Sequence, residues 1–177
     1  DRQEWVAHWE TIIDWGDNWN YFLGSNSPPD NWNQQNFNDL GWSNGPSGFG
    51  YGDDDDATIV DPVMSLYVRH EFNANNIESI LKIFLHVDYD DAFVAYINGV
   101  EIARANIGTP GVPPPYNQGA DSWREAEMYQ GGAPGEYMID AEESLLDSGA
   151  NVLAVQVHNF NIGSSDLTLI PFLTLGL

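Results

Sequence analysis

The 177-residue chain contains no cysteine. Thiol nucleophiles, disulfide staples and sulfur-ligated zinc are therefore excluded, and any stability must come from packing or from a bound metal. Positive charge is nearly as scarce: five Lys and Arg stand against 27 Asp and Glu, for a formal net charge of −22. Nucleic acid binding requires clustered cations that displace condensed counterions, so nucleic acid is excluded as a partner, and an anionic membrane surface is disfavoured for the same reason. No apolar run approaches the roughly 20 residues that a membrane-spanning helix needs, so membrane insertion is not expected. Helical periodicity is almost missing too. Only "DAEESLLDSG" (140–149), with an acidic first turn and a Gly stop, predicts one short helical turn.

What is present points to an all-β domain. The sequence is 42% apolar and 13% aromatic, enough for one packed core spanning 1–177. Period-two alternation marks strands at "SLYVRHEF" (65–72), "SILKIFLHV" (79–87), "AFVAYI" (92–97), "VEIARA" (100–105), "NVLAVQVHNF" (151–160) and "LTLIPFLTLGL" (167–177). Asn98-Gly99 predicts a type I′ hairpin turn, because both residues tolerate positive φ. Pro171 cannot donate to a ladder, which predicts an edge position or a bulge for the last strand. "DRQEWVAHWETII" (1–13) reads as a strand closing one sheet, or as an arm for a neighbour. The long loops at 25–58 and 107–136 are rich in Trp and Tyr, so ordered, functional loops are expected. The resulting fold is a jelly-roll β-sandwich with at most one short helix. The first residue is Asp rather than Met, which suggests a processed or excised product.

Several motifs occur in order: "WGDNWNYF" (15–22), "FNDLGWSNGPSGFGYGDDDDATIV" (37–60), "LYVRHEF" (66–72), "VDYDDAFVAYINGVEIARAN" (87–106) and "GANVLAVQVHNFNIGSSDLTLIPFLTL" (149–175). Together they resemble the galactose-binding-domain-like β-sandwich modules of secreted bacterial (Bacteroidetes-type) multidomain proteins. The sugar-binding domains of family 2 glycoside hydrolases share the Arg–Phe strand and the Asp-Asp…Asn-Gly hairpin. Ala92 stands where Gly is usual, and the proline-rich insert after Ile107 is longer than the pattern. The resemblance implies an extracellular or cell-surface module. Within it, Trp15, Trp19, Tyr21, Trp42 and Phe49 are expected to pack the core.

The acidity has two readings, a solvated surface or cation sites. Four consecutive Asp (53–56) repel one another unless solvent or a cation intervenes. Asp53, Asp55, Asp88 and Asp90 offer oxygens at alternating positions, which makes them the candidate ligands for structural Ca2+. No EF-hand spacing accompanies them. The plain alternative is that Asp90 and Asp91 cap backbone N–H groups where the hairpin begins. Catalysis is not expected. With so many acids a glycosidase-like pair arises by chance, "GPSGFG" (45–50) is no nucleophile elbow, and His8, His70, His86 and His158 are scattered. Aromatic rings stack on pyranose faces while amides read hydroxyls. Trp32, Tyr116 and Trp123 are the candidate stacking residues, with Asn33, Gln34, Asn117 and Gln118 beside them. The expected function is carbohydrate binding, with polysaccharide or glycan as partner. The alternative is a structural or adhesive domain that self-associates or docks on a neighbouring domain.

Overall fold

The computed structural model describes residues 5–142 and 144–177. Among these residues twelve strands follow one another: β1 (Trp9–Ile13), β2 (Asn18–Leu23), β3 (Ser43–Pro46), β4 (Phe49–Tyr51), β5 (Thr58–Ile59), β6 (Ser65–Ala74), β7 (Lys82–Asp90), β8 (Ala92–Ile97), β9 (Val100–Ala105), β10 (Gly135–Asp140), β11 (Gly149–His158) and β12 (Leu167–Gly176). They form two six-stranded sheets. The first runs β10-β7-β12-β4-β5, with β1 also paired to β12; the second runs β3-β2-β6-β11-β8-β9. The molecule is a β-sandwich.

Alternation along each strand decides what faces the core. Ile83, Leu85, Val87 and Tyr89 of β7 and Leu169, Leu173 and Leu175 of β12 meet Leu66, Val68, Phe93, Ala95, Leu153 and Val155 from the second sheet. Each such side chain contributes about 1.5–3 kcal/mol relative to exposure. The hairpin forms as expected: Ile97 pairs with Val100, with Asn98 at φ 51° and Gly99 at φ 86°. A Cβ on Gly99 would also lie 2.2 Å from Gln34 Nε2. The segment 9–13 joins the first sheet antiparallel to β12, which is the strand reading of the N-terminal stretch.

Three expectations are corrected. No helix occupies 140–149. Asp140 ends β10, Gly149 begins β11, and the described residues between them form a turn, Glu143 lying outside that description. The Asn151 side chain holds this turn by accepting from Asp147 N–H and donating to the Asp147 and Gly149 carbonyls. Leu145 and Leu146 drop into the main core. Pro171 sits neither on an edge nor in a bulge. It faces Val87 on one side. On the other, β4 pairs only through Leu169 and β1 begins at Leu173, so the missing N–H falls in the gap between two partners. Trp15 is 61% exposed, because it lies in the Asp14–Asp17 turn, where Asp17 Oδ2 accepts from Asp14 N–H.

Both sheets also bury polar residues on their outer faces. Tyr67, Arg69, Gln156 and His158 of the second sheet and Asp88 and Asp90 of the first are all buried. Loops laid over those faces carry the candidate sites.

Candidate functional site

Over the second sheet, the loops around 30–42 and 107–120 close a small apolar cluster of Trp32, Tyr67, Val94, Tyr96, Ile107 and Ala120, with Trp42 and Tyr116 packed against it. Trp32 is only 6% exposed. Its ring meets Tyr67 at 4.9 Å and Tyr96 at 5.7 Å, edge to face. It is a core residue and not a stacking platform, which corrects the sequence expectation. The cause is Arg69, whose buried guanidinium donates to Asp39 Oδ2 (2.8 Å) and to the carbonyls of Trp32 (2.5 Å) and Gln34 (3.0 Å), pulling the loop onto the sheet. Asn33 is half-buried. Gln34 is exposed and lines a cleft of about 330 Å³ with Gln35, Asn36, Asn98 and Asp147.

The 116–118 segment is anchored through its backbone. Ser65 Oγ donates to the Tyr116 carbonyl (2.7 Å), and His158 Nδ1–H donates to the Gln118 carbonyl (2.8 Å). His158 Nε2 then accepts from the Gln156 amide (2.7 Å), which fixes a neutral ring. Burial holds its pKa down at about 4. Tyr116 and Gln118 are half-buried and Asn117 is exposed. Trp32 and Tyr116 thus share one apolar cluster, and Trp123 lies outside it.

Trp123 belongs to the other end, where β7 passes into β8. Asp91 accepts at both oxygens, from Arg124 N–H and from Phe160 N–H, each at 2.6 Å. One carboxylate thereby pins two loops side by side. Asn106 supports the first loop by donating to the carbonyls of Asp91 and Ser122. Trp123 is 68% exposed, and Tyr129 and Phe160 are also exposed.

The acids at this end divide into two kinds. Asp88 accepts from Glu127 N–H (2.9 Å) and Met128 N–H (2.8 Å). Both its oxygens serve the loop, so Asp88 acts as a cap here and joins neither group of converging acids. Asp91 is likewise a cap, and the amides it satisfies belong to two different loops. The second kind has no such employment. Asp53, Asp55 and Asp56 bring carboxylate oxygens within 4.8 Å of one another, as do Asp90, Glu125 and Asp166. Both oxygens of Asp55, with Asp53 Oδ1 and Asp56 Oδ1, are buried and accept no hydrogen bond. Asp53 Oδ2 accepts from Thr168 Oγ1 (2.8 Å), and Thr168 pairs with Asp90 across the ladder, so Thr168 links the loop of the first trio to the strand that carries Asp90. Gly50, also paired with Thr168, leaves room for the first trio: a Cβ there would lie 2.5 Å from Asp56 Oδ1.

Two unit charges 4–5 Å apart repel by about 3–4 kcal/mol at an effective dielectric of ~20. The pKa shifts follow from this and from burial. Burial first, then Asp53, raises Asp55 to about 7; burial, then Asp53 and Asp55, raises Asp56 to about 8. Asp90 is raised to about 9 by burial and then by Asp91, Asp166 and Glu125. Such trios either take up protons or take up a cation.

Of the expected ligands, Asp53 and Asp55 come together, Asp90 joins a different trio, and Asp88 joins neither. Asp56, Glu125 and Asp166 were missed. Asp56 belongs to the acidic run but falls outside its alternate positions, and a loop with Asp54 at φ 63° does not alternate. Glu125 and Asp166 carry no local signal.

No protein-family model and no curated protein matches the chain. Solved structures match nearly all of it. Bacteroides uniformis beta-glucuronidase 2, bound covalently to cyclophellitol-6-carboxylate aziridine, aligns with 95% of this chain and 18% of its own at 15% identity and a TM-score of 0.57. A calcium binding mutant of that glucuronidase aligns over 93% and 18%, at 14% identity and TM-score 0.54. An uncultured Clostridium sp. beta-glucuronidase covers 98% and 30% (15%, 0.55), and a glycosyl hydrolase family 2 member from Bacteroides cellulosilyticus covers 94% and 20% (12%, 0.57). The chain spans less than a third of the length of these structures. At such identities the likeness is one of fold: this β-sandwich is similar to a part of several glycoside hydrolase chains.

Proposed function

We propose that this chain is a non-catalytic carbohydrate-binding β-sandwich, stabilised by calcium and acting outside the cell as the polysaccharide-holding part of a secreted or surface protein. The observation that carries the reading is the exposed Trp123, held beside Phe160 by the shared Asp91 carboxylate and neighboured by the exposed Tyr129. Exposed aromatic rings on loops whose backbones are fixed offer the apolar face of a sugar a preorganised partner. The fold's occurrence within glycoside hydrolase chains is consistent with an accessory role. Two groups of three acids converge within reach of a single cation, which suits calcium.

The first trio fits calcium. Its buried oxygens accept from no protein donor, and hard oxygen ligands from a loop are what calcium takes. Asp53, Asp55 and Asp56 would hold it. When bound it offsets their mutual repulsion and ties the 52–57 loop to β12 through Asp53 and Thr168.

Affinity electrophoresis through a panel of polysaccharides, with calcium present, tests the reading. Retardation by one polymer is expected, and Trp123→Ala should abolish it. Migration unaffected by every polymer would overturn the function.

A further inference from the structure

Asp90 is 4% exposed, yet its carboxylate accepts no hydrogen bond from the described residues, while its neighbour Asp91 uses both oxygens on backbone amides. Besides the adjacent Asp91, the carboxylate faces Glu125 and Asp166, whose oxygens lie within 4.8 Å. Each of those two has one oxygen engaged, Asp166 Oδ1 with Ser165 Oγ (2.9 Å) and Glu125 Oε2 with Tyr129 Oη (3.4 Å), and one to spare. The four ion pairs among the described residues lie elsewhere. The nearest guanidinium, Arg124, is committed to the Tyr89 carbonyl and ring. Three carboxylates therefore converge with no cation from the chain itself. A single ammonium would leave two of them uncompensated, whereas a divalent ion balances most of the charge.

We infer that Asp90, Glu125 and Asp166 form a second divalent-cation site, through which adjacent hydroxyls of a sugar ring are held beside Trp123. Calcium takes six to eight oxygens, and three carboxylates cannot supply them all. Because Glu125 is exposed, the remaining positions face solvent, on the same loop as Trp123 and Tyr129. A neutral glycan then meets an aromatic face and a cation together, and the cation explains how a chain of such negative charge binds hydroxyl oxygens at its most acidic end. The ion site stands on its own geometry; the sugar ligand rests on the carbohydrate reading above.

The test uses calcium alone and then polysaccharide, on the intact chain. Calorimetric titration with calcium chloride should count two ions in the wild type. Asp166→Asn and Glu125→Gln should each remove one while leaving the other, and Asp55→Asn should remove the other. Terbium in place of calcium should emit light sensitised by the neighbouring aromatics, and in Asp55→Asn, where only this site remains, adding Asp166→Asn should lower that emission at least tenfold. In calcium-containing gels both variants should lose polysaccharide retardation. Two ions retained in both Asp166→Asn and Glu125→Gln would overturn the site. Two ions bound but no retardation by any polymer would overturn the sugar ligand and the carbohydrate reading, leaving the ion site supported. Retardation equal in calcium and in chelator would overturn the ion-bridged ligand while supporting the carbohydrate reading.

Discussion

The two outer faces of the sandwich bury polar groups in opposite ways. On the second sheet, Arg69, Gln156 and His158 are roofed by loops, and each finds its partners within the chain: Arg69 an acid and carbonyls, Gln156 the Tyr96 hydroxyl and the Pro114 carbonyl, His158 an amide and a carbonyl. On the first sheet the buried groups are nearly all carboxylates, and four oxygens of the 53–56 run have no donor at all. A buried polar group without a partner costs about 1–3 kcal/mol, more if charged. The outer face of the second sheet is complete as a folded chain, whereas that of the first sheet leaves buried acceptors without donors.

The contrast can be broken most severely at Arg69. Arg69→Ala strands Asp39 and two carbonyls, and urea denaturation should record a loss of about 3–5 kcal/mol, the range for breaking a buried ion pair. That loss should be the same with calcium or with chelator. Asp55→Asn should act in the opposite sense at the other face. By relieving buried like-charge repulsion it should raise the stability of the metal-free protein while removing the stabilisation that calcium gives.

The two faces should also respond oppositely to pH. Asp55 and Asp56 have folded pKa values of about 7 and 8, so in chelator the folded chain keeps protons that the unfolded chain releases above ~4. Stability should therefore fall as pH rises from about 4 towards 8. His158, with its folded pKa lowered to about 4, binds its proton only in the unfolded chain between there and ~6.5, so its contribution falls as pH drops through that window. Asp56→Asn should flatten the alkaline slope and His158→Gln the acid one, read from urea midpoints across pH. The smallest effect on stability is expected at Trp123. An exposed ring removed by Trp123→Ala should change unfolding free energy by no more than ~0.5 kcal/mol, while polysaccharide retention is lost. A large fall would place the ring in the fold's packing instead.

How far the sequence revealed this depended on the range of the interactions. Strands β7, β8 and β9 were legible because alternation and Asn98-Gly99 are local, and the β8 and β9 boundaries agree to the residue. Trp32 was misplaced because its burial is imposed by Arg69, 37 positions away, and nothing in "DNWNQQNF" announces that. The capping role of Asp88 is hidden from the sequence for the same reason, since the amides it caps lie 39 and 40 residues downstream. The 140–149 turn had helix-like composition, but Asn151 and the two core leucines outweigh a weak local propensity. An excess of acid was plain in the composition. Its division into satisfied caps and unsatisfied trios is a tertiary property.

The most direct measurement is urea denaturation of the intact chain near pH 8, once in saturating calcium and once in chelator. At about 100 times the dissociation constant, one bound ion adds roughly 2.7 kcal/mol, so the account predicts a curve displaced to higher urea by at least that free energy. Superimposable curves would contradict it, and would mean that the acidic end of the sandwich is held by protons and water alone.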